Sequence, residues 1–405
     1  MQEGSRKGSI VALAVFLLGG GLVLCHEHRC SLARQQHSLF VAAAWRLDWP
    51  AAQRGIDQAC ELWPANALYW AESALARERQ LPLLRFDSPR QLVDAPARRQ
   101  ASAARHRLQH ALALNPADAL FWHNSAWLCW RLGDVDGALQ AVHRSRQLDP
   151  HTAVYAFSCG YFLELQGQID SAVVVYADAV RLAPAALRSR FYSDFCQRHP
   201  QQVVRLQQIA RDSLQAAQHR SPIAAARLAA FYFSTGRHEC ARPLLKQVTA
   251  ELENLDRPWT FLGCLLQSEA PDSAERLLRR AAFLAPADPL PLLQLADLYA
   301  DAGKQEQAIA AWRSSLAAHL TAASAHSRIV PHLYPESVRE SAVLADDVIP
   351  AGWSAYCDPE FDWSAVCERL AYHLRMSGRQ RSAARIAELQ PDDRQACAEI
   401  LHIRF

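Results

Sequence analysis

Two adjacent stretches decide the fold: ALFWHNSAWLCWRLGDVDGALQAVHRSRQLDPHT at residues 119–152 and AVYAFSCGYFLELQGQIDSAVVVYADAVRLAPAA at residues 153–186. They align without a gap over 34 residues each. Gly133 and Gly167 fall at the same place, as do Ala138 and Ala172, and Pro116, Pro150 and Pro184 recur at the same interval. Apolar residues at helical spacing lead up to Gly133, whose backbone freedom permits a tight turn. A second helix then starts near Asp134 and Asp136, carboxylates suited to a helix N-terminus. Ala138 is small enough for two helices to cross closely, and Pro150 ends the hairpin because it cannot continue one. A single hairpin leaves much apolar surface exposed, so neighbours are expected to stack on it.

The pattern extends both ways. Residues 289–320 repeat it through Leu292, Tyr299, Gly303, Ala308 and Trp312. Residues 255–288 repeat it through Ala274, Ala281 and Pro286, and residues 222–254 through Tyr232, Gly236 and Ala241. Upstream, 33–66 fit through Ala52, Ala59 and Pro64, whereas 67–118 fit only with about 18 extra residues between the helices. That insertion, about 80–96, reads as a loop projecting from the turn edge, either in contact with a partner or merely tolerated. Residues 187–221 form a degenerate hairpin with a short first helix and a break at His199-Pro200. Beyond 321 the period lapses, and 321–405 read as an irregular helical region with one further hairpin, Trp363 to about Leu389 turning at Gly378, and a capping helix.

These residues resemble the tetratricopeptide family, whose repeat has this length, a Gly at its turn, Ala in the second helix and a terminal Pro. The resemblance covers roughly 33–320. It implies an all-α fold, a right-handed α-solenoid of stacked helix-turn-helix hairpins, and binding of other proteins through a concave groove lined by the first helix of each repeat. The repeat phase puts His123, Trp127, Trp130, Arg131, Phe157, Tyr161 and Glu164 in that groove, an aromatic surface with a few charges of the kind that forms interfaces. Trp127 and Phe157 equally suit the packing between curved helices. Trp122 and Tyr176 take the phase of core residues between the paired helices. The family's clamp for C-terminal carboxylates needs basic residues on the first helices, but Lys246 and Lys304 fall on second helices or turns.

Composition agrees with helices: half of the residues are apolar and only 15 are Gly. With 43 basic and 41 acidic residues the net charge is +2, too small a field to hold nucleic acid. No CxxC pair, HExxH, GxSxG or phosphate-binding glycine loop occurs, so the chain is not expected to be an enzyme or to take a cofactor, and a small-molecule ligand is not expected either. CHEHRC, Cys25 to Cys30, holds metal-ligand residue types, but His26 and His28 point to different faces of a helix and the stretch reads as a polar collar with no metal. Most of the 11 cysteines sit singly in helical patterns as core filling; only Cys25 with Cys30 and Cys357 with Cys367 are close enough to pair.

After a short tail, 1–9, with Arg6 and Lys7 comes IVALAVFLLGGGLVLC at 10–25, long enough to cross a bilayer core as a helix. It lacks the small residues of a cleavage site and reads as an uncleaved anchor. Arg6 and Lys7 favour a cytoplasmic tail, which sends the repeats to the periplasm of a bacterial inner-membrane protein. The repeats resemble those attached to O-antigen-ligase-type membrane proteins. The layout also resembles the lipopolysaccharide assembly protein B family, in which one N-terminal helix anchors a cytoplasm-facing repeat domain that regulates an envelope enzyme. That family ends in a metal-binding module with paired cysteines, a pairing that Cys357, Cys367 and Cys397 do not reproduce.

Overall fold

The computed structural model describes residues 25–44, 46–86, 89–325, 361–390 and 394–401, and among them every regular element is a helix. Two compact units emerge, one made of 1–83 with 90–138 and the other of 84–89 with 139–405. The expected tail, 1–9, and nearly all of the expected anchor lie outside the described residues. Among the described residues no helix is long and apolar enough to cross a membrane.

The first unit contains α1 (25–44), α2 (Trp49–Leu62), α3 (Ala67–Glu78), α4 (Ala95–Leu114), α5 (Ala119–Arg131) and the start of α6 (Val135–Leu148). Helix starts follow capping chemistry: Asn66, Asp94 and Asp118 each accept a backbone N–H of the helix they precede. Phe40 and Ala43 of α1, Ile56 and Ala59 of α2 and Tyr69 of α3 share one apolar core. His37 Nε2 lies 2.8 Å from Glu72 Oε2 and ties α1 to α3. Arg77 and Ser73 of α3 bond Asp57 of α2 at 2.7 Å each.

The second unit continues α6 and adds α7 (Ala153–Leu165), α8 (Ile169–Leu182), a 3-10 turn (Pro184–Arg188), α9 (Arg190–Arg198), α10 (Pro200–Ala217), α11 (Pro222–Ser234), α12 (His238–Glu251), α13 (Asp256–Leu266), α14 (Pro271–Leu284), α15 (Pro289–Asp301), α16 (Gln305–Ala325), α17 (Trp363–Met376), α18 (Gln380–Ala387) and α19 (Arg394–Leu401). Antiparallel pairs α7–α8, α11–α12, α13–α14, α15–α16 and α17–α18 are the hairpins expected from the repeat. In the degenerate repeat α9 has only nine residues, and α10 packs mainly on α8. The last hairpin stacks on α16 although 326–360 intervene. Trp312, Leu316 and Leu320 share a core with Trp363, Leu370 and Ile386, and Gln305 Nε2 donates to the His373 carbonyl at 2.8 Å.

One turn recurs five times, directly after α5, α7, α11, α15 and α17. At Gly133, Gly167, Gly236, Gly303 and Gly378 the backbone takes φ of 90°, 77°, 72°, 69° and 79°. In each, the glycine N–H bonds the carbonyl three residues back, and the next N–H reaches five back, as in Gly133→Trp130 and Asp134→Cys129. This pair of hydrogen bonds satisfies the last carbonyls of the first helix and requires a left-handed residue. Asp134 then caps α6 by accepting from Gly137 N–H at 2.9 Å.

A sixth copy sits between α1 and α2, where Leu47 N–H bonds Ala44 and Asp48 N–H bonds Ala43, with Leu47 itself at φ 59°. A branched side chain in this conformation costs about 1–2 kcal/mol. Leu47→Gly is therefore expected to raise stability by about 1 kcal/mol, net of the larger entropy that glycine loses on folding. Gly167→Ala, where space is open but φ is positive, is expected to lower it by about the same amount. Urea unfolding midpoints of the two variants check both signs.

Candidate partner-binding surface

The seven expected groove residues are all buried. In the first unit, His123 is fully enclosed, hydrogen-bonded to Asn124, and its pKa is pushed down to about 3 by that burial, so it is neutral at physiological pH. Trp127 and Trp130 are buried with their rings edge to face, centroids 6.1 Å apart. Arg131, 2% exposed, reaches Glu78 Oε1 at 3.2 Å and donates to the Pro82 carbonyl at 2.6 Å. Burial pushes Arg131 below its ordinary pKa while Glu78 opposes the shift.

In the second unit, Phe157 packs edge to face on Phe191 at 5.1 Å and beside Tyr176. Tyr161 donates its hydroxyl to the Phe86 carbonyl at 2.6 Å. Glu164 accepts from Tyr176 Oη at 2.6 Å and Arg198 Nε at 2.8 Å, and His199 Nε2 lies 3.0 Å away. The expectation of an open aromatic surface is thus corrected: these side chains belong to packing and to buried polar contacts. The sequence carried a sign of it. ALFWHNSAWLCWR and AVYAFSCGYFLEL each hold one charged residue, and a helix apolar on every side is one that is covered on every side.

Two further placements differ from expectation. Tyr176 is fully buried, as its phase implied, but Trp122 is only half-buried and donates its indole N–H to the Pro116 carbonyl at 2.9 Å. Trp70 does the same to Pro64 at 2.8 Å, so this tryptophan position fastens the entry of a hairpin instead of filling its middle. The insertion is also tied down, not simply projecting. Its described residues 79–86 and 89–94 are non-helical, because α4 already starts at Ala95 with Pro96 in its first turn. Leu81 and Leu92 are buried with Ala97 and Ala101, and Leu92 N–H donates to the Arg131 carbonyl at 2.9 Å. Sequence reasoning had no signal for Glu78, Pro82 or Phe86 as partners, since each is 49–75 residues from the side chain it meets.

Cys25, Cys30, Cys60, Cys129, Cys159, Cys196, Cys240, Cys264 and Cys367 are free thiols. Cys25 is exposed and Cys30 buried beside His26, so these two, close enough in sequence to pair, are not bonded to each other, and Cys357 lies outside the described residues. Burial pushes the thiols of Cys60, Cys264 and Cys367 up to about 12, which leaves them protonated and poor nucleophiles near neutrality. No group of three potential metal ligands occurs among the described residues.

One acidic pair has a consequence for stability. Asp256 and Asp288, both buried, share Arg257, whose Nε is 3.9 Å from the first and 3.2 Å from the second. Burial, with Asp288 adding to it and Arg257 opposing, raises Asp256 to about 6. A carboxyl whose pKa is higher in the folded chain favours folding below its unfolded value and loses that contribution as pH rises through about 6. Asp256→Asn is therefore expected to stabilise the protein by about 3 kcal/mol at pH 8 and to leave it nearly unchanged near pH 3, below both pKa values. Urea titrations at the two pH values test this, and an equal effect at both would refute it.

The class defined by this architecture is an α-helical hairpin-repeat protein. No protein family matches the chain, and no curated protein matches its sequence. Solved structures of similar type include a tetratricopeptide repeat protein from Parabacteroides merdae, at 10% identity and TM-score 0.34 over 77% of this chain and 98% of that one. PilF of Pseudomonas aeruginosa aligns at 15% identity and TM-score 0.32 over 68% and 99%. A MamA protein aligns at 12% and 0.32 over 56% and 94%.

Proposed function

We propose that the chain is a non-catalytic scaffold that binds other proteins through its helical hairpins. The observation that carries this reading is the recurrence of one glycine turn, five times, with four of the helical hairpins it closes packed in the second unit. In such a construction local turns and small contact residues hold the frame, and the remaining surface is free to take partner-specific side chains. We further propose that residues 10–25 tether it to a bacterial inner membrane with the repeats in the periplasm, where it holds components of a machine that exports or assembles surface polysaccharide or protein. The apolar run after Arg6 and Lys7 supports the tether and its direction. Arg29 and Arg34, on the other flank, favour a second reading, a cytoplasm-facing regulator of an envelope enzyme.

The test is crosslinking of the full chain in cells, with copurified proteins identified and a reporter fused at Phe405 to read sidedness. Envelope-assembly proteins with an external reporter support the scaffold, and a cytoplasmic reporter selects the regulator. Recovery of no specific protein would overturn both.

A further inference from the structure

In the first unit, α1 continues from the apolar run 10–25 and packs on the first hairpin, α2 with α3. The apolar part of that contact is made largely by Ala33, Phe40 and Ala43. Arg29 adds a bond to the Glu61 carbonyl at 3.1 Å, exposed to solvent. The charged link is His37 Nε2 with Glu72 Oε2 of α3, 2.8 Å apart, with side chains 27% and 19% exposed. The imidazole also stacks on Tyr69 of α3, ring centroids 5.0 Å apart, and lies 5.7 Å from Phe40. The ring is thus fixed against the hairpin, and its charge acts on the carboxylate it faces.

We infer that His37 and Glu72 are a proton-operated latch: the protonated pair fastens α1 to α2 and α3, and loss of its proton in mildly alkaline solution lets α1 loosen while the other helices stay packed. Burial lowers His37, but Glu72, by contact and by charge, outweighs it and leaves the imidazole above its ordinary 6.5. Burial raises Glu72, and His37 offsets that in part. Both groups therefore hold protons more tightly in the folded chain than in the unfolded one. The histidine's contribution is full below 6.5 and is lost as pH rises through its higher folded value; the carboxyl's is lost at lower pH, in the same direction. At the alkaline end Glu72 is a largely buried anion without the cation that offset its desolvation.

The neighbouring groups do not stand in for the pair. Arg34 and Cys30 approach from α1, Cys60 and Asp57 from α2, Tyr69 and Arg77 from α3, and Arg107 from α4. Asp57 is taken by Arg77 at 2.7 Å and by Arg107 at 3.8 Å. The arginines keep their charge throughout this range. Burial raises Tyr69, and Cys60 to about 12, so both stay uncharged near neutrality. His26, exposed at the start of α1, lies 3.6 Å from Cys30. The latch needs no partner, so its test is independent of the protein-binding reading above.

The experiment follows hydrogen exchange of the full chain at about pH 5.5 and about pH 8.5, each rate divided by the intrinsic rate at that pH. Protection of amides 30–44 is expected to fall about tenfold at the higher pH, the factor for one unit of pKa difference, while α7 keeps its protection. His37→Gln keeps a polar side chain that does not titrate, and its α1 protection should differ by less than about twofold between the two conditions. Equal protection of α1 at both pH values in the wild-type chain overturns the inference. So does the same fall in His37→Gln, which would assign it to another group such as His26. A fall shared by α7 overturns it too, because it reports global unfolding. Should His37→Gln fail to fold, Glu72→Gln removes the buried charge and should retain α1 protection at about pH 8.5; a fall of about tenfold there overturns the inference.

Discussion

Glu78→Leu is expected to destabilise the protein by about 3–5 kcal/mol, the largest effect of any single change considered. Glu78 and Arg131 face each other at 3.2 Å with side chains only 2% and 3% exposed. Removing one partner leaves a guanidinium buried, and that uncompensated charge, not the lost attraction, sets the cost. The Pro82 carbonyl remains to Arg131 and softens the loss only in part. The double variant Glu78→Leu with Arg131→Met should recover most of the stability, because two buried charges replaced by apolar groups of like size are close to neutral. A urea double-mutant cycle followed by circular dichroism reads both. A double variant no better than Glu78→Leu alone would show that the pair is not the source of the effect.

Gly160→Ala should cost about 2 kcal/mol although alanine is the better helix former by about 1 kcal/mol. A Cβ on Gly160 would lie 2.4 Å from Cδ1 and Cε1 of Tyr176. That ring cannot retreat. It is packed edge to face against Phe191 at 4.8 Å and Phe195 at 5.3 Å, and its hydroxyl is bonded to Glu164. Removing the ring in Gly160→Ala with Tyr176→Ala should abolish the penalty of the first change, measured against Tyr176→Ala alone. A gain in stability for Gly160→Ala by itself would mean that α7 and α8 can part at no cost, against the close packing described.

The repeat was legible wherever it depends on residues near one another. Gly133, Gly167, Gly236, Gly303 and Gly378 mark their turns because only glycine adopts positive φ without cost, and Gly378 located the last hairpin with no period to guide it. The turn at Leu47 escaped notice because it uses the same hydrogen bonds with a residue the pattern does not contain. For the candidate surface, periodicity could say which residues share a helix face but not whether a face is open. On α5 and α7 no polar face exists to mark the solvent side, so Trp127 and Phe157 suited groove and packing equally, and they are buried together with Trp130 and Tyr161.

By itself, then, the amino-acid sequence determined the all-helical class, the length of the hairpin, the turns and most helix ends. Each of these is a local property, set by backbone sterics, capping side chains and apolar spacing within about one turn of helix. Only the tertiary structure decided that Arg131 meets Glu78, that Tyr161 holds the insertion, that Gly160 makes room for Tyr176 and that the last hairpin stacks on α16. These contacts join residues 16 to 75 positions apart, or across the interval 326–360. Which of many apolar and polar surfaces come together at such separations is settled by the packing of whole helices, a property no single segment contains.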